Sequence, residues 1–234
     1  LFAVRPDHLL HDYRLIYDTA VRDRRYHRSD LYGCHLHVPL ADGIIDRIAA
    51  YLHTHKVHLT ITRERRSVLG DYRHALHDRN HRISINGNLN PFAFLITLIH
   101  ELAHLVTFEQ YGHRVSAHGK EWKQLYKVLL QQYLGQGIFP DDVEAALVRS
   151  LDNLPASSCA DEPLMRVLRN HDHPGSKGIL VEELSEGTVF AIDGGRIFKK
   201  GKKLRKRYQC KEIATGKLYL FSGLYEVEPI QDMQ

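Results

Sequence analysis

Between Pro91 and Phe108 the chain runs through a stretch that is almost wholly apolar, broken near its middle by His100, Glu101 and His104. A run of about 18 apolar residues is long enough to mimic a membrane span. An ionisable side chain at the centre of a span costs roughly 2.5 to 3.5 kcal/mol, however, and this stretch carries three polar groups there. The pattern therefore predicts a buried helix with a polar task. Its start is well marked, because Asn90 can cap the first turn and Pro91 at the first helical position loses no donor that the helix needs. The helix should run to about Gln110, with Gly112 as its stop.

His100-Glu101-Leu102-Ala103-His104 is an H-E-x-x-H pattern. At 3.6 residues per turn the two histidines project from one face, one turn apart, so both imidazoles can bind one zinc ion at about 2.0 to 2.1 Å. Glu101 is rotated by about 100° from His100, which sets its carboxylate beside the metal, where it can take a proton from water. The chain is rich in histidine, with 17 His and 12 Glu in 234 residues, yet an accidental match is expected only ~0.06 times. Two core imidazoles and a carboxylate buried without a metal would be short of partners.

A catalytic zinc needs a third protein ligand and an open position. The metzincin continuation, Gly and then His three and six residues after the second histidine, is absent, since Thr107 and Gln110 stand there. His113, His118 and Glu121 are the nearby candidates. Of these His118 is favoured, because it sits where a helix beginning near Gly119 would fix its backbone. The protein group that would stabilise an oxyanion is not legible, and Tyr111, His113, Arg114 and Tyr126 are only close in sequence.

Elsewhere, apolar periodicity predicts helices over residues 7–25, from an Asp42 cap through Leu52, from Gly119 to Leu134 along a stripe containing Trp122 and Tyr126, from an Asp141 or Asp142 cap to Leu151, and from Pro163 to Asn170. Val57–Thr62 alternates with period two and reads as a half-buried strand, with Ser67–Arg73 and Arg82–Asn86 as further strands. After a linker at 171–177 come short strand-like runs at Ile179–Leu184, Thr188–Ile192, Arg196–Lys199, Leu204–Ile213 and Lys217–Phe221. The other histidines, His53, His55, His58, His171 and His173, read as surface residues. The fold expected is α+β, a small sheet beside a helical core, followed by a small C-terminal all-β module. The domains are an N-terminal helical extension (1–40), a central domain (41–170) and the basic β-rich module (175–230).

From Arg196 to Lys217 there are ten Lys or Arg against one acid, Glu212, a local charge of +9 in a chain whose net charge is +4. Such segregation points to a polyanion-facing surface, and DNA is the expected partner. Phe190, Phe198, Tyr208, Tyr219 and Phe221 are interleaved with these charges, as in small barrels that stack bases, or else simply form the module's core. Cys34, Cys159 and Cys210 are too few and too far apart for a dense disulfide framework or a four-cysteine zinc ribbon. No secretory signal pattern opens the sequence, so a cytoplasmic location without membrane attachment is expected.

Pro91-Phe92-Ala93-Phe94-Leu95-Ile96-Thr97-Leu98-Ile99 leading into HELAH, and Ala117-His118-Gly119-Lys120-Glu121-Trp122 after it, resemble the SprT-like zinc metallopeptidase domain. Ser67–Arg73 is similar to the strand region that precedes the metal helix in that family, whose relatives include the Spartan proteases that cut proteins crosslinked to DNA. The resemblance covers residues 42–135. It implies a zincin-like core, one catalytic zinc ion held by His100, His104 and His118, and Glu101 as acid/base. It implies a zinc endopeptidase for protein or peptide substrates, acting on DNA-associated proteins. Many members end in a paired-cysteine zinc ribbon, which this chain lacks. Two other classes compete: a nucleic-acid-binding protein with a structural zinc, and a metal hydrolase of non-peptide amides. A substrate peptide is expected to add as a strand at a sheet edge, for which Arg82–Asn86 is the segment named.

Overall fold

Period-two alternation and β-branched residues do what they should in the first half of the chain. The computed structural model describes residues 44–65, 68–76, 79–151, 154, 161–172, 178–192 and 194–230. The helix expected at 7–25, the Asp42 cap, most of the linker, Cys34 and Cys159 lie outside those residues. Contacts divide the chain into two units between His171 and Asp172.

The first unit opens with helix α1 (Ile44–Thr54), followed by strands β1 (Val57–Thr62), β2 (Gly70–Arg73) and β3 (His81–Asn86). β3 is central: it pairs in parallel with β1 and antiparallel with β2. Arg82–Asn86 therefore has a neighbour on both sides and cannot be the edge that receives a peptide. The free edge nearest the H-E-x-x-H helix belongs to β2. The amide of Asn86 donates to the carbonyl of Leu69 at 2.9 Å. By the alternation of antiparallel pairs, Asp71 and Arg73 then bond to β3, while the N–H and C=O groups of Gly70 and Tyr72 turn to the open side.

Helix α2 (Pro91–Tyr111) follows, capped by Asn90, whose side chain accepts from the amide of Ala93, and stopped by Gly112 in the left-handed region at φ 59°. Asn90 also donates from Nδ2 to the carbonyl of Leu168 at 2.8 Å, tying the helix start to the last helix of the unit. α2 is long and apolar enough to cross a membrane, but two thirds of its apolar window is buried inside the fold. Leu95, Ile96, Ile99, Leu102 and Leu105 pack with Leu59, Ile83 and Ile85 of the sheet in one core. Helix α3 (Lys120–Gln131) adds Trp122, Tyr126 and Leu130 to that core. Helices α4 (Asp141–Ser150) and α5 (Glu162–Asn170) complete it. Pro140 occupies the cap of α4, not an aspartate; Asp141 and Asp142 lie in the first turn, where negative charge meets the helix dipole.

The second unit is a six-stranded sheet in the order β4-β9-β5-β6-β7-β8, built from β4 (Ile179–Leu180), β5 (Val189–Ala191), β6 (Ile197–Lys203), β7 (Arg207–Glu212), β8 (Leu218–Ser222) and β9 (Glu226–Pro229). Three expectations change. Strand β4 gives way to a 3₁₀ turn at Val181–Glu183, β6 and β7 meet across a hairpin at 204–206, and β9 has no counterpart in the sequence reading. Val181, Phe190, Phe198, Cys210, Phe221 and Val227 make this unit's core.

Candidate metal centre and its cleft

Three histidines converge. His100 and His104 rise one turn apart from the middle of α2, and His118 comes from the turn that leads to Gly119, the N-cap of α3. One nitrogen from each ring lies within 4.8 Å of those from the other two. The Nε2 atoms of His100 and His118 are 3.4 Å apart, close to the spacing of about 3.3 Å that a tetrahedral ion with 2.0 to 2.1 Å bonds would require. Burial, and then the two neighbouring imidazoles, push His100 down to about 3; burial, then His118, takes His104 to about 4. His118 is also lowered, by burial and then by Lys123. All three rings are therefore neutral near pH 7, as metal ligation demands.

The donor set is three imidazoles with no thiolate, which suits zinc. No fourth His, Cys, Asp or Glu joins the group among the described residues. His100 Nδ1 is buried and has no hydrogen-bond partner. If Nε2 takes the metal, this is the nitrogen that carries the proton.

All three rings rest on Trp122, with ring centroids 4.7, 5.1 and 4.8 Å from it for His100, His104 and His118. Sequence reading placed Trp122 in an apolar stripe and in the Ala117–Trp122 segment, without a contact to the histidines. Its fully buried indole also packs against Tyr126, 4.9 Å behind it. Tyr126 also packs edge-on against His100, with ring centroids 5.4 Å apart, but does not line the cleft.

Glu101 is 5% exposed, and its carboxylate makes no hydrogen bond or ion pair among the described residues. Burial, reinforced by Asp71 and opposed by Arg65, raises it to about 8. In the metal-free protein the group is therefore largely protonated near pH 7, and a dication held by the three rings would favour its carboxylate form.

The site opens into a cleft of about 510 Å³. α2 forms its floor, β2 and the residues just before it form one rim, and the segment from Gly112 to His118 forms the other. β2 runs alongside α2: Gly70 faces Thr97 and Glu101, Tyr72 lies beside His104, and His74 stacks on Phe108 at 4.5 Å. Tyr72 is fixed by a 2.7 Å hydrogen bond to His81 Nδ1. That nitrogen also accepts from the amide of Ala75, so the phenol is the donor. Of the four residues named as neighbours for an oxyanion, only His113 lines the cleft. None of the β2 contributions was legible, because no local pattern says which strand edge will face a helix. His55 and His171, read as surface, are half-buried; His55 Nδ1 pairs with Glu109 at 2.7 Å and His171 Nε2 with Asp142 at 3.1 Å.

In the second unit Phe190, Phe198 and Phe221 are buried and form the core, so they offer no stacking face. Lys200 is buried too; its ammonium donates to the carbonyls of Glu182 and Leu184 and lies 4.3 Å above the Tyr208 ring. Arg196 pairs with Glu212 at 2.7 Å and covers Tyr219. The remaining eight of the ten cations, Lys199 and Lys217 among them, are exposed and form no ion pair among the described residues.

An H-E-x-x-H helix and a third histidine thus form a cluster that could hold a metal ion, beside an open strand edge. Residues 44–141 match the model of the SprT-like family. The protein SprT of Vibrio parahaemolyticus serotype O3:K6 (strain RIMD 2210633) is 60% identical over 35 residues, a stretch covering 14% of this chain and 21% of that protein. No solved structure matches.

Proposed function

We propose that the first unit is a zinc endopeptidase, with His100, His104 and His118 as the metal ligands and Glu101 as the general base. The observation that carries this reading is the convergence of three neutral imidazoles beside a buried carboxylate in an open cleft. A zinc ion, when bound, supplies Lewis acidity that polarises a carbonyl and acidifies water. Glu101 accepts the proton of the attacking water and delivers it to the leaving amine. The outward N–H and C=O groups of Gly70 and Tyr72 pair with the substrate backbone, which extends it along the cleft and excludes water from its peptide groups. Zinc analysis of the purified protein against His118→Ala tests the ligand set. Near-stoichiometric zinc is expected in the wild type and a large loss in the variant; equal metal content in both would refute it.

A second reading, a nucleic-acid-binding protein with a structural zinc, draws on the eight exposed cations of the second unit. A structural zinc is closed by four protein ligands, whereas three candidate ligands come together among the described residues. The two readings combine in a peptidase that acts on DNA-associated proteins. With its phenylalanines buried, the second unit would grip DNA through phosphates, with little preference for unstacked bases. Affinity for duplex DNA is expected to drop ~10³-fold between 50 and 200 mM salt. A flat salt response in a binding titration would leave the lysines as a merely solvated face.

A further inference from the structure

Gly70 has no conformational reason to be glycine. It lies in a regular strand and its φ falls outside the left-handed region, unlike Gly112, whose φ of 59° ends α2. Space is the reason. A Cβ at Gly70 would sit 2.6 Å from Glu101 Oε1, 3.0 Å from Glu101 Cγ and 2.7 Å from Thr97 Cγ2. Thr97 cannot easily turn away, because its hydroxyl donates to the carbonyl of Ala93 at 2.7 Å and so fixes where its methyl points. The Glu101 carboxylate has no hydrogen bond to orient it among the described residues, so packing alone sets where it lies.

Resting on the reading of Glu101 as general base, we propose that Gly70 is a positioning residue. By lacking a side chain, it lets the backbone of the edge strand close on Glu101 and hold its carboxylate at the metal site. The same absence keeps the edge strand, whose outward peptide groups lie at Gly70 and Tyr72, directly against the base. The strand that would carry a substrate and the group that would move the proton are thus registered to each other by direct contact. Any side chain at position 70 must either rotate the carboxylate or lift the strand.

Gly70→Ala in the zinc-loaded full chain is expected to lower kcat for a denatured protein substrate by ~10²-fold, the scale of a displacement near 1 Å. KM should change little, and zinc content and the visible spectrum of the cobalt-substituted protein should be unchanged. Wild-type kcat in Gly70→Ala would overturn the proposal. A melting-temperature cycle supplies a readout that needs no turnover. Gly70→Ala should lower the Tm of the wild type but be nearly neutral in a Thr97→Ser, Glu101→Ala background, where the three contacting atoms are gone. The same Tm loss in both backgrounds would also overturn it, and so would failure of that background to restore folding if Gly70→Ala alone does not fold. A wild type without peptidase activity would sink the zinc-endopeptidase reading, and the cycle would still decide the contact.

Discussion

Glu101→Gln should lower peptide hydrolysis by ~10³-fold or more while leaving zinc content unchanged. Loss of a positioned acid or base costs typically 10²- to 10⁴-fold, and the amide cannot accept the water's proton. The substitution keeps the shape of the side chain, so the contacts with Gly70 and Thr97 survive. In the metal-free protein near neutral pH the same variant should melt higher than wild type, because Glu101, raised to about 8 by burial, must take up a proton on folding whereas the amide needs none. Undiminished hydrolysis by purified variant would remove Glu101 from the chemistry. A lower melting temperature in the metal-free variant would mean that the carboxylate contributes to the fold, and that its position reflects more than catalysis.

Replacing Trp122 has the second largest expected effect, on stability and metal together. The indole is fully buried and the rings of His100, His104 and His118 all pack on it. Truncation of a buried aromatic to alanine costs roughly 3 to 5 kcal/mol. For a chain of this size that corresponds to a fall in Tm of about 10 °C. Trp122→Ala should also release zinc to a competing chelator more readily, since the cavity frees three imidazoles to leave their common geometry. Trp122→Phe should be much milder, because the indole Nε1 has no hydrogen-bond partner to lose. Phe and Ala variants with the same chelator sensitivity as wild type would show that α2 and α3 alone hold the ligands.

How much of this was legible in the sequence follows the range of each signal. Asn90, Pro91 and Gly112 bracket α2 because caps and breakers act within a few residues of the backbone groups they satisfy. Val57–Thr62 was readable as a strand because alternation repeats within six residues. His118 could be favoured because the start of α3 is itself a local feature. The pairing of strands is not local. Arg82–Asn86 looks as fit for an edge as for a centre, and its central place follows only from β1 and β2 both choosing it. The basic segment shows the same limit from the other side: its charge count was plain, but which cations face water depended on the sheet, which buried Lys200 and paired Arg196.

The sequence by itself determined the helix, the face on which two histidines project and the adjacent carboxylate, and favoured His118 among the nearby candidates, since each depends on spacing along one or two turns. Only the tertiary structure decided that β2 is the free edge over the site, that Trp122 supports all three rings, and that Gly70 touches Glu101. Those contacts join residues that are distant in sequence through a sheet, a helix and a turn. They come from packing the elements together, and no residue records in its own neighbourhood which surface it will meet.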